Sequence, residues 1–266
     1  MTLPQLTRYD LHPDVLAFST TRQGGASLGS YAEFNVNEYC GDLPEHIAAN
    51  RKALCSLLGI GEERLVMPHQ THETSVRRIA PEYFQLSADT RRRLLEGVDA
   101  VMTNIPGVCV GVSTADCIPI IIYDAVHRAC CAVHAGWRGT VGGIARKAVE
   151  AMRQAYGCRA GALRVVIGPG IGPGSFEVGD EVFDAFASAG FPMERLARRR
   201  EKWHLDLWEA NRWLLTESGV NPTRILTDGT CTYEHPDRYF SARRLGIRSG
   251  RILTGVMIKR NDADET

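Results

Sequence analysis

The stretch Ile118-Pro119-Ile120-Ile121-Ile122-Tyr123, the turn Asp124 to Arg128, and Ala129-Cys130-Cys131-Ala132-Val133-His134 decide how this chain folds. Two short apolar runs, the first rich in β-branched residues, cut by a polar turn, predict a strand hairpin. Further strands are expected at Ala100 to Thr103 and Val108 to Val112 ahead of it, and at Leu163 to Ile167 beyond it. Between them the periodicity changes. Val141, Ile144, Ala145, Ala148, Val149 and Met152 share one face of a helix over Val141 to Tyr156, which Gly157 closes.

Toward the N-terminus, Val15 to Thr20 reads as a strand and Thr21 to Ser27 as a loop. Glu45 to Leu58 has helical spacing and stops at Gly59, and Arg91 to Leu95 is a short basic helix or turn. Toward the C-terminus, Gly168 to Gly174 is a turn, and helices follow at Asp180 to Ser188 and Asp206 to Ser218. Asp206 is placed to cap the second of these. Strands Arg224 to Thr227 and Arg251 to Ile258 precede a frayed polar tail, Asn261 to Thr266. Strands that follow one another without a helix between them call for mixed sheets. The expected fold is α+β (α/β-like), a single domain over residues 1–266 with mixed β-sheets covered by helices.

Composition narrows the function classes. The 266 residues are 44% hydrophobic and 23% charged, ordinary for a soluble enzyme. With 31 basic and 31 acidic side chains the net charge is zero. That argues against general attraction to nucleic acid or anionic membrane, while leaving room for a local basic pocket. The basic run Arg195 to Lys202 accordingly reads as a solvated face. Met1 to Leu11 lacks the apolar core of a signal peptide, and the longest apolar runs are too short to span a bilayer. Eight cysteines without a C-x-x-C pair read as thiols in a reducing compartment, so a cytoplasmic protein is expected. Its expected state is a monomer or small homo-oligomer.

Three clusters carry the candidate chemistry: Pro68-His69-Gln70-Thr71-His72-Glu73, Thr114-Ala115-Asp116-Cys117-Ile118-Pro119 and His134-Ala135-Gly136-Trp137-Arg138-Gly139. A hairpin of the predicted length brings Cys117 and His134 together, and His72 would have to join them from elsewhere in the chain. Two imidazoles and a thiolate suit zinc, and three protein ligands leave a fourth position open, as in catalytic sites. Spacing alone does not separate this from structural Cys and His residues. Arg138, before a helix, reads either as an anion ligand or as a solvated neighbour of a packed Trp137. Arg22 reads as a substrate contact or a surface arginine. Asp116 reads as a proton acceptor, a partner of the metal ligands or a turn cap. His69, three residues before His72, would share a helical face with it and either line the site or only hydrogen-bond nearby.

Gln70-Thr71-His72, Ala115-Asp116-Cys117-Ile118-Pro119 and His134-Ala135-Gly136-Trp137-Arg138-Gly139 resemble the three signatures of the YfiH family. This is also called the laccase-domain or polyphenol-oxidase family. Ser19 to Gly25, Asn35, Gly41-Asp42, Asn50-Arg51, Gly168 to Gly172, Phe176-Glu177-Val178, Cys231-Thr232 and Phe240 to Arg244 extend the resemblance over nearly the whole chain. It implies an α/β arrangement with mixed sheets and a zinc site at His72, Cys117 and His134. It also implies phosphorolysis of adenosine, inosine and methylthioadenosine to free base and ribose 1-phosphate, with deamination of adenosine. Purine nucleosides and phosphate are then the partners. Two residues depart from the pattern: Glu73 where glycine is usual, and Gly170 where cysteine is common.

Other readings compete. Cys117 and His134 could act without metal as the nucleophile and base of a cysteine hydrolase. Copper in place of zinc would allow a polyphenol oxidase (laccase), although eight histidines without a His-x-His pair are poor material for a multicopper centre. A purely structural metal is the remaining case.

Overall fold

A strand that is apolar at every position, rather than at every second one, must be covered on both faces. In the computed structural model, which describes residues 3–260, Ile118–Asp124 is such a strand, and all seven of its residues are buried. It pairs antiparallel with Ala129–Ala135, from Ile118 opposite Ala135 to Asp124 opposite Ala129. Ile120, Ile122, Cys131 and Val133 point into one core with Ala145, Ala148 and Met152 of helix Ile144–Tyr156 and Leu214 of helix Leu207–Glu217. Ile121, Tyr123, Cys130 and Ala132 point the other way, into a core shared with Val110, Val112, Val256 and Ala17.

The hairpin lies at the centre of a six-stranded sheet ordered Ile225–Thr227, Arg164–Ile167, Ile118–Asp124, Ala129–Ala135, Ala100–Thr103 and Val76–Arg78. The outermost pair at each end is parallel and the inner pairs are antiparallel, so the sheet is mixed. The second core joins it to a five-stranded sheet, Leu6–Tyr9, Val15–Thr20, Ile252–Ile258, Cys109–Thr114 and Leu65–Val66. The far face of that sheet packs Phe18, Leu253 and Met257 on Leu54 and Leu58 of helix Pro44–Leu58. The result is a single α+β fold of two sheets face to face with helices on both outer sides.

Several boundaries differ from the sequence reading. The helix expected from Val141 to Tyr156 begins earlier and is broken: Trp137–Val141 ends at Gly142, and Ile144–Tyr156 starts after Gly143, which lies at φ 74°. A side chain at Gly142 would lie 2.7 Å from Thr74 Cγ2, so the break permits close approach to the loop before the Val76–Arg78 strand. The strand expected at Val108 to Val112 runs instead over Cys109–Thr114. Leu6–Tyr9, within the stretch Met1 to Leu11 for which no element is expected from sequence, is an edge strand paired with Val15–Thr20. The basic run Arg195 to Lys202 folds into part of a small three-stranded sheet, Glu177–Val178, Trp203–Leu205 and Ala197–Arg199, with Arg198 to Lys202 exposed. All eight cysteines are unpaired. The tail Asn261 to Thr266 lies outside the described residues. No helix among the described residues is long and apolar enough to cross a membrane.

Ile121 sits between the two sheets and is fully buried. Truncating it to alanine removes apolar contact on a face that cannot collapse, a loss of about 2–5 kcal/mol for this class of substitution. Urea unfolding of Ile121→Ala should show the midpoint falling accordingly while the slope of the transition is unchanged.

Candidate metal centre

The site forms where the chain crosses between the two sheets. Cys109–Thr114 belongs to one sheet and Ile118–Asp124 to the other, and Ala115-Asp116-Cys117 makes the crossing with Asp116 at φ 86°. His134 stands one residue from the end of the neighbouring strand, opposite Pro119. Hairpin register therefore places Cys117 beside His134. His72 arrives on the loop between Leu65–Val66 and Val76–Arg78, itself left-handed at φ 64°. Of three non-glycine residues with positive φ among the described residues, two are thus His72 and Asp116. Such conformations cost of order 1–3 kcal/mol and persist where surrounding contacts hold them.

Two side chains hold that loop. Gln70 imitates a strand residue: its Nε2 donates to the Ser113 carbonyl at 2.8 Å and its Oε1 accepts from the Ser113 amide at 2.8 Å. Asp99, fully buried at the start of Ala100–Thr103, accepts from the backbone N–H groups of His72 at 3.1 Å and Glu73 at 2.8 Å, with a longer bond from Thr71. The same carboxylate lies 2.7 Å from His134 Nδ1, and the Asp99 carbonyl accepts from the His134 amide at 2.7 Å. With Nδ1 engaged by Asp99, Nε2 is the ring atom left to face Cys117 and His72.

Donor atoms of His72, Cys117 and His134 all lie within 4.8 Å of one another. The two imidazole rings meet edge to face, with centroids 4.9 Å apart. Gly136 completes the cradle: a Cβ there would come within 3.0 Å of both Cys117 Sγ and His72 Cδ2. A pocket kept clear by glycine and ringed by two nitrogens and one sulfur fits a tetrahedral ion with one position open. His72 is exposed to the solvent side, Cys117 half-buried and His134 buried, so that position faces a cavity of about 860 Å³. Tyr39, His69, Asp116, Phe176, Arg243 and Arg248 are among its lining residues.

The electrostatics favour a thiolate. Burial alone would raise the Cys117 pKa, but the charge and hydrogen bond of His134, aided by His72, lower it to about 6. Burial opposes the charge on His134 too, and Cys117 with Asp99 overcomes it, raising that imidazole to about 9. Asp99 follows the same pattern: burial works against its ionisation, and His134 with the backbone donors holds it below the usual carboxylate range.

Other residues singled out from sequence fare differently. His69 does line the cavity, but on a loop and not on a helical face with His72. Its ring stacks on Tyr39 at 3.9 Å, and its Nδ1 lies 2.7 Å from Glu96 Oε1. Asp116 lines the cavity with both carboxylate oxygens engaged, by Thr232 Oγ1 at 2.7 Å and the Arg243 amide at 2.6 Å. This ties helix Ala242–Leu245 to the crossing segment. Arg138 is not brought to the cavity: it is exposed and lies 4.3 Å over the Trp137 ring. Arg22 is not brought there either. Its guanidinium donates to the carbonyls of Ala32 and Pro236 and lies 4.8 Å over Phe240, pinning the N-terminal loop. Gly170 packs under Ile118, where a Cβ would meet Ile118 Cδ1, Asp116 O and Cys117 O. A side chain here requires the Ile118 side chain to move and the crossing segment to give slightly.

Asp99 and Arg248 are not singled out by the sequence, and Gln70 stands in the first cluster with no role attached to it. An acidic residue directly ahead of an apolar strand was the available signal for Asp99, but acidic residues flank strands for many reasons.

The family model described as "Multi-copper polyphenol oxidoreductase laccase" matches residues 16–259, and the chain belongs to this laccase-domain (YfiH) family. A purine nucleoside phosphorylase of Bacteroides thetaiotaomicron is 46% identical over 250 residues, covering 93% of each chain. The adenosine deaminase RL5 of an unknown prokaryotic organism is 41% identical, covering 92% of this chain and 94% of its own. The crystal structure of the hypothetical protein YfiH of Bacillus licheniformis superposes with a TM-score of 0.90 at 29% identity, covering 96% of this chain and 97% of that one.

The metal-free protein should betray the thiolate. Since His134 and His72 lower the Cys117 pKa to about 6, its alkylation by iodoacetamide should rise at lower pH than that of an ordinary thiol, which climbs through about 8.5. Peptide mapping across pH 5 to 9 checks this, with buried Cys109, Cys130 and Cys131 remaining unlabelled in the native state.

Proposed function

We propose that the chain, acting as one domain over residues 1–266, is a zinc-dependent purine nucleoside enzyme. It cleaves adenosine, inosine and methylthioadenosine with phosphate to free base and ribose 1-phosphate, and it deaminates adenosine. The observation that carries this reading is the convergence of His72, Cys117 and His134 on the floor of a cavity of about 860 Å³. That volume lies within the range of small-molecule sites. Relatives covering nearly the whole chain that are called purine nucleoside phosphorylase and adenosine deaminase support it.

His72, Cys117 and His134 would hold the zinc, which supplies a Lewis acid and acidifies water when bound. The chain's own residues do the rest. Asp99 accepts the His134 Nδ1 proton's hydrogen bond and so keeps Nε2 directed at the centre. The stacked Tyr39 and His69 rings form an aromatic wall suited to a purine. Phe176 and Ile171 supply apolar surface elsewhere in the cavity.

Phosphate finds its partner in Arg248 instead of Arg138. Arg251 spends its guanidinium on the carbonyls of Ile247, Ser249 and Gly250, and Arg243 donates to the Glu177 carbonyl. Arg248 lines the same cavity, and its guanidinium has no hydrogen-bond or ion-pair partner among the described residues, which leaves it open to an anion. Charge-assisted hydrogen bonds to phosphate fit this fork.

A specific observation favours one alternative. Cys117, His134 and Asp99 are arranged as nucleophile, base and orienting carboxylate, with the thiol near 6, which is what a metal-free cysteine hydrolase needs. Metal analysis separates the two and also decides between zinc and copper, because copper suits the same donors.

Purified protein given adenosine and inorganic phosphate should release adenine, ribose 1-phosphate and inosine by mass. Activity should fall on chelation and return with zinc. Absence of these products under every condition rejects the proposal, and full activity after chelation turns it toward the hydrolase. Arg248→Ala should raise the KM for phosphate about 10-fold or more, the cost of one charge-assisted contact, and leave deamination unchanged. Asp99→Asn should weaken zinc binding about 10- to 100-fold, as loss of a ligand-orienting partner does, measured by competition with a chromogenic chelator.

A further inference from the structure

The hairpin that carries Cys117 and His134 at its open end bears a second set of metal-type donors at its turn. Asp124, His127 and Cys158 bring a carboxylate oxygen, a ring nitrogen and a sulfur within 4.8 Å of one another. We propose that these three residues form a second site for a borderline divalent transition metal, zinc foremost, which clips the hairpin turn to the end of helix Ile144–Tyr156.

Each donor is placed by the fold. Asp124 closes the strand and is almost wholly buried; its Oδ1 accepts from the amides of Val126 at 2.8 Å and His127 at 3.4 Å, which fixes the carboxylate. Its Oδ2 lies 2.9 Å from His127 Nδ1. Cys158 comes from a different part of the chain, two residues past the helix end, and is buried against this turn. Gly157, at φ 75°, makes the sharp exit that turns Cys158 inward, and a Cβ there would stand 3.6 Å from His127 Nε2. With metal–nitrogen and metal–oxygen bonds near 2.0 Å and metal–sulfur near 2.3 Å, ligand atoms around a tetrahedral ion sit roughly 3–4 Å apart. Only a small contraction separates the observed cluster from a bound one.

Chemistry and access agree with geometry. One thiolate and one carboxylate neutralise a divalent cation, and imidazole completes a soft-to-borderline set. On binding, the Cys158 Sγ–H proton leaves to solvent, the sulfur, a ring nitrogen and a carboxylate oxygen each donate a lone pair, and the His127–Asp124 hydrogen bond is exchanged for coordination. No electron is transferred. His127 is the exposed member, so the ion arrives from solvent and water fills the remaining position. The site lies at the opposite end of the hairpin from Cys117 and His134, so its occupancy does not depend on the function proposed for that centre.

Reduced, chelator-stripped full-length protein is titrated anaerobically with Co²⁺, following the near-ultraviolet thiolate-to-cobalt absorption, and zinc content is measured after reloading. The wild-type chain should bind one equivalent at each of the two clusters. Cys117→Ala should keep one equivalent together with a thiolate band. Adding His127→Gln or Cys158→Ser to it should abolish both. His127 is exposed, so His127→Gln is expected to fold, checked by circular dichroism. On the otherwise intact chain it should lower the stoichiometry by one equivalent and remove the rise in Tm that this equivalent confers. A stoichiometry unchanged by His127→Gln overturns the proposal, as does a folded Cys117→Ala protein that binds no cobalt. A wild-type chain that binds a single equivalent, lost in His127→Gln and kept in Cys117→Ala, would support this site while removing the metal from the function proposed above.

Discussion

One buried carboxylate organises the centre. Asp99 has no access to solvent, and an ionised group in such a place is tolerated only when its lone pairs are filled. They are filled by the backbone of Thr71, His72 and Glu73 on one side and by His134 Nδ1 on the other. Satisfying Asp99 therefore does two things at once. It folds the loop that presents His72, and it selects which nitrogen of His134 faces the other donors. Two ligands far apart in sequence become one object because they share this anion.

The rest of the architecture supplies a rigid frame. Both faces of the Ile118–Asp124 strand are packed, one by helices and one by the second sheet, so the hairpin that carries Cys117 and His134 has little freedom to shift. The crossing segment between sheets is held by the Asp116 carboxylate on Thr232 and Arg243 and by the Ile171 amide on the Asp116 carbonyl. Glycine keeps space open where side chains would intrude, at Gly136 under the donors and at Gly170 beneath Ile118. The cavity is thus assembled at a seam, with walls from the crossing segment, the loop of His69 to His72 and the C-terminal arginines.

How much of this could be read from the chain depends on the range of the interaction. The central hairpin, the helix ending at Gly59 and the Asp206-capped helix follow from periodicity and end signals, which are local. The double glycine at 142 and 143 was read through as continuous helix, because the reason for the break is the approach of Thr74 from another loop. The edge strand Leu6–Tyr9 was missed for a similar reason. Arg8 faces solvent and Thr7 is taken up by the distant Tyr239 and Arg238, so only its pairing with Val15–Thr20 makes it a strand.

The sequence by itself determined that a mixed α+β fold would form around an apolar hairpin, because residue order is sufficient wherever neighbours along the chain are the relevant partners. His72, Cys117 and His134 stood out through the resemblance of their surrounding motifs to the laccase-domain family, not through their spacing. Only the tertiary structure decided that Asp99 and Gln70 shape the centre, that Arg248 and not Arg138 or Arg22 reaches the cavity, and that Asp116 has its oxygens already engaged. The physical reason is the same in each case. A charged or hydrogen-bonding side chain takes its role from the groups that fill its coordination sphere, and here those groups are tens to hundreds of positions away.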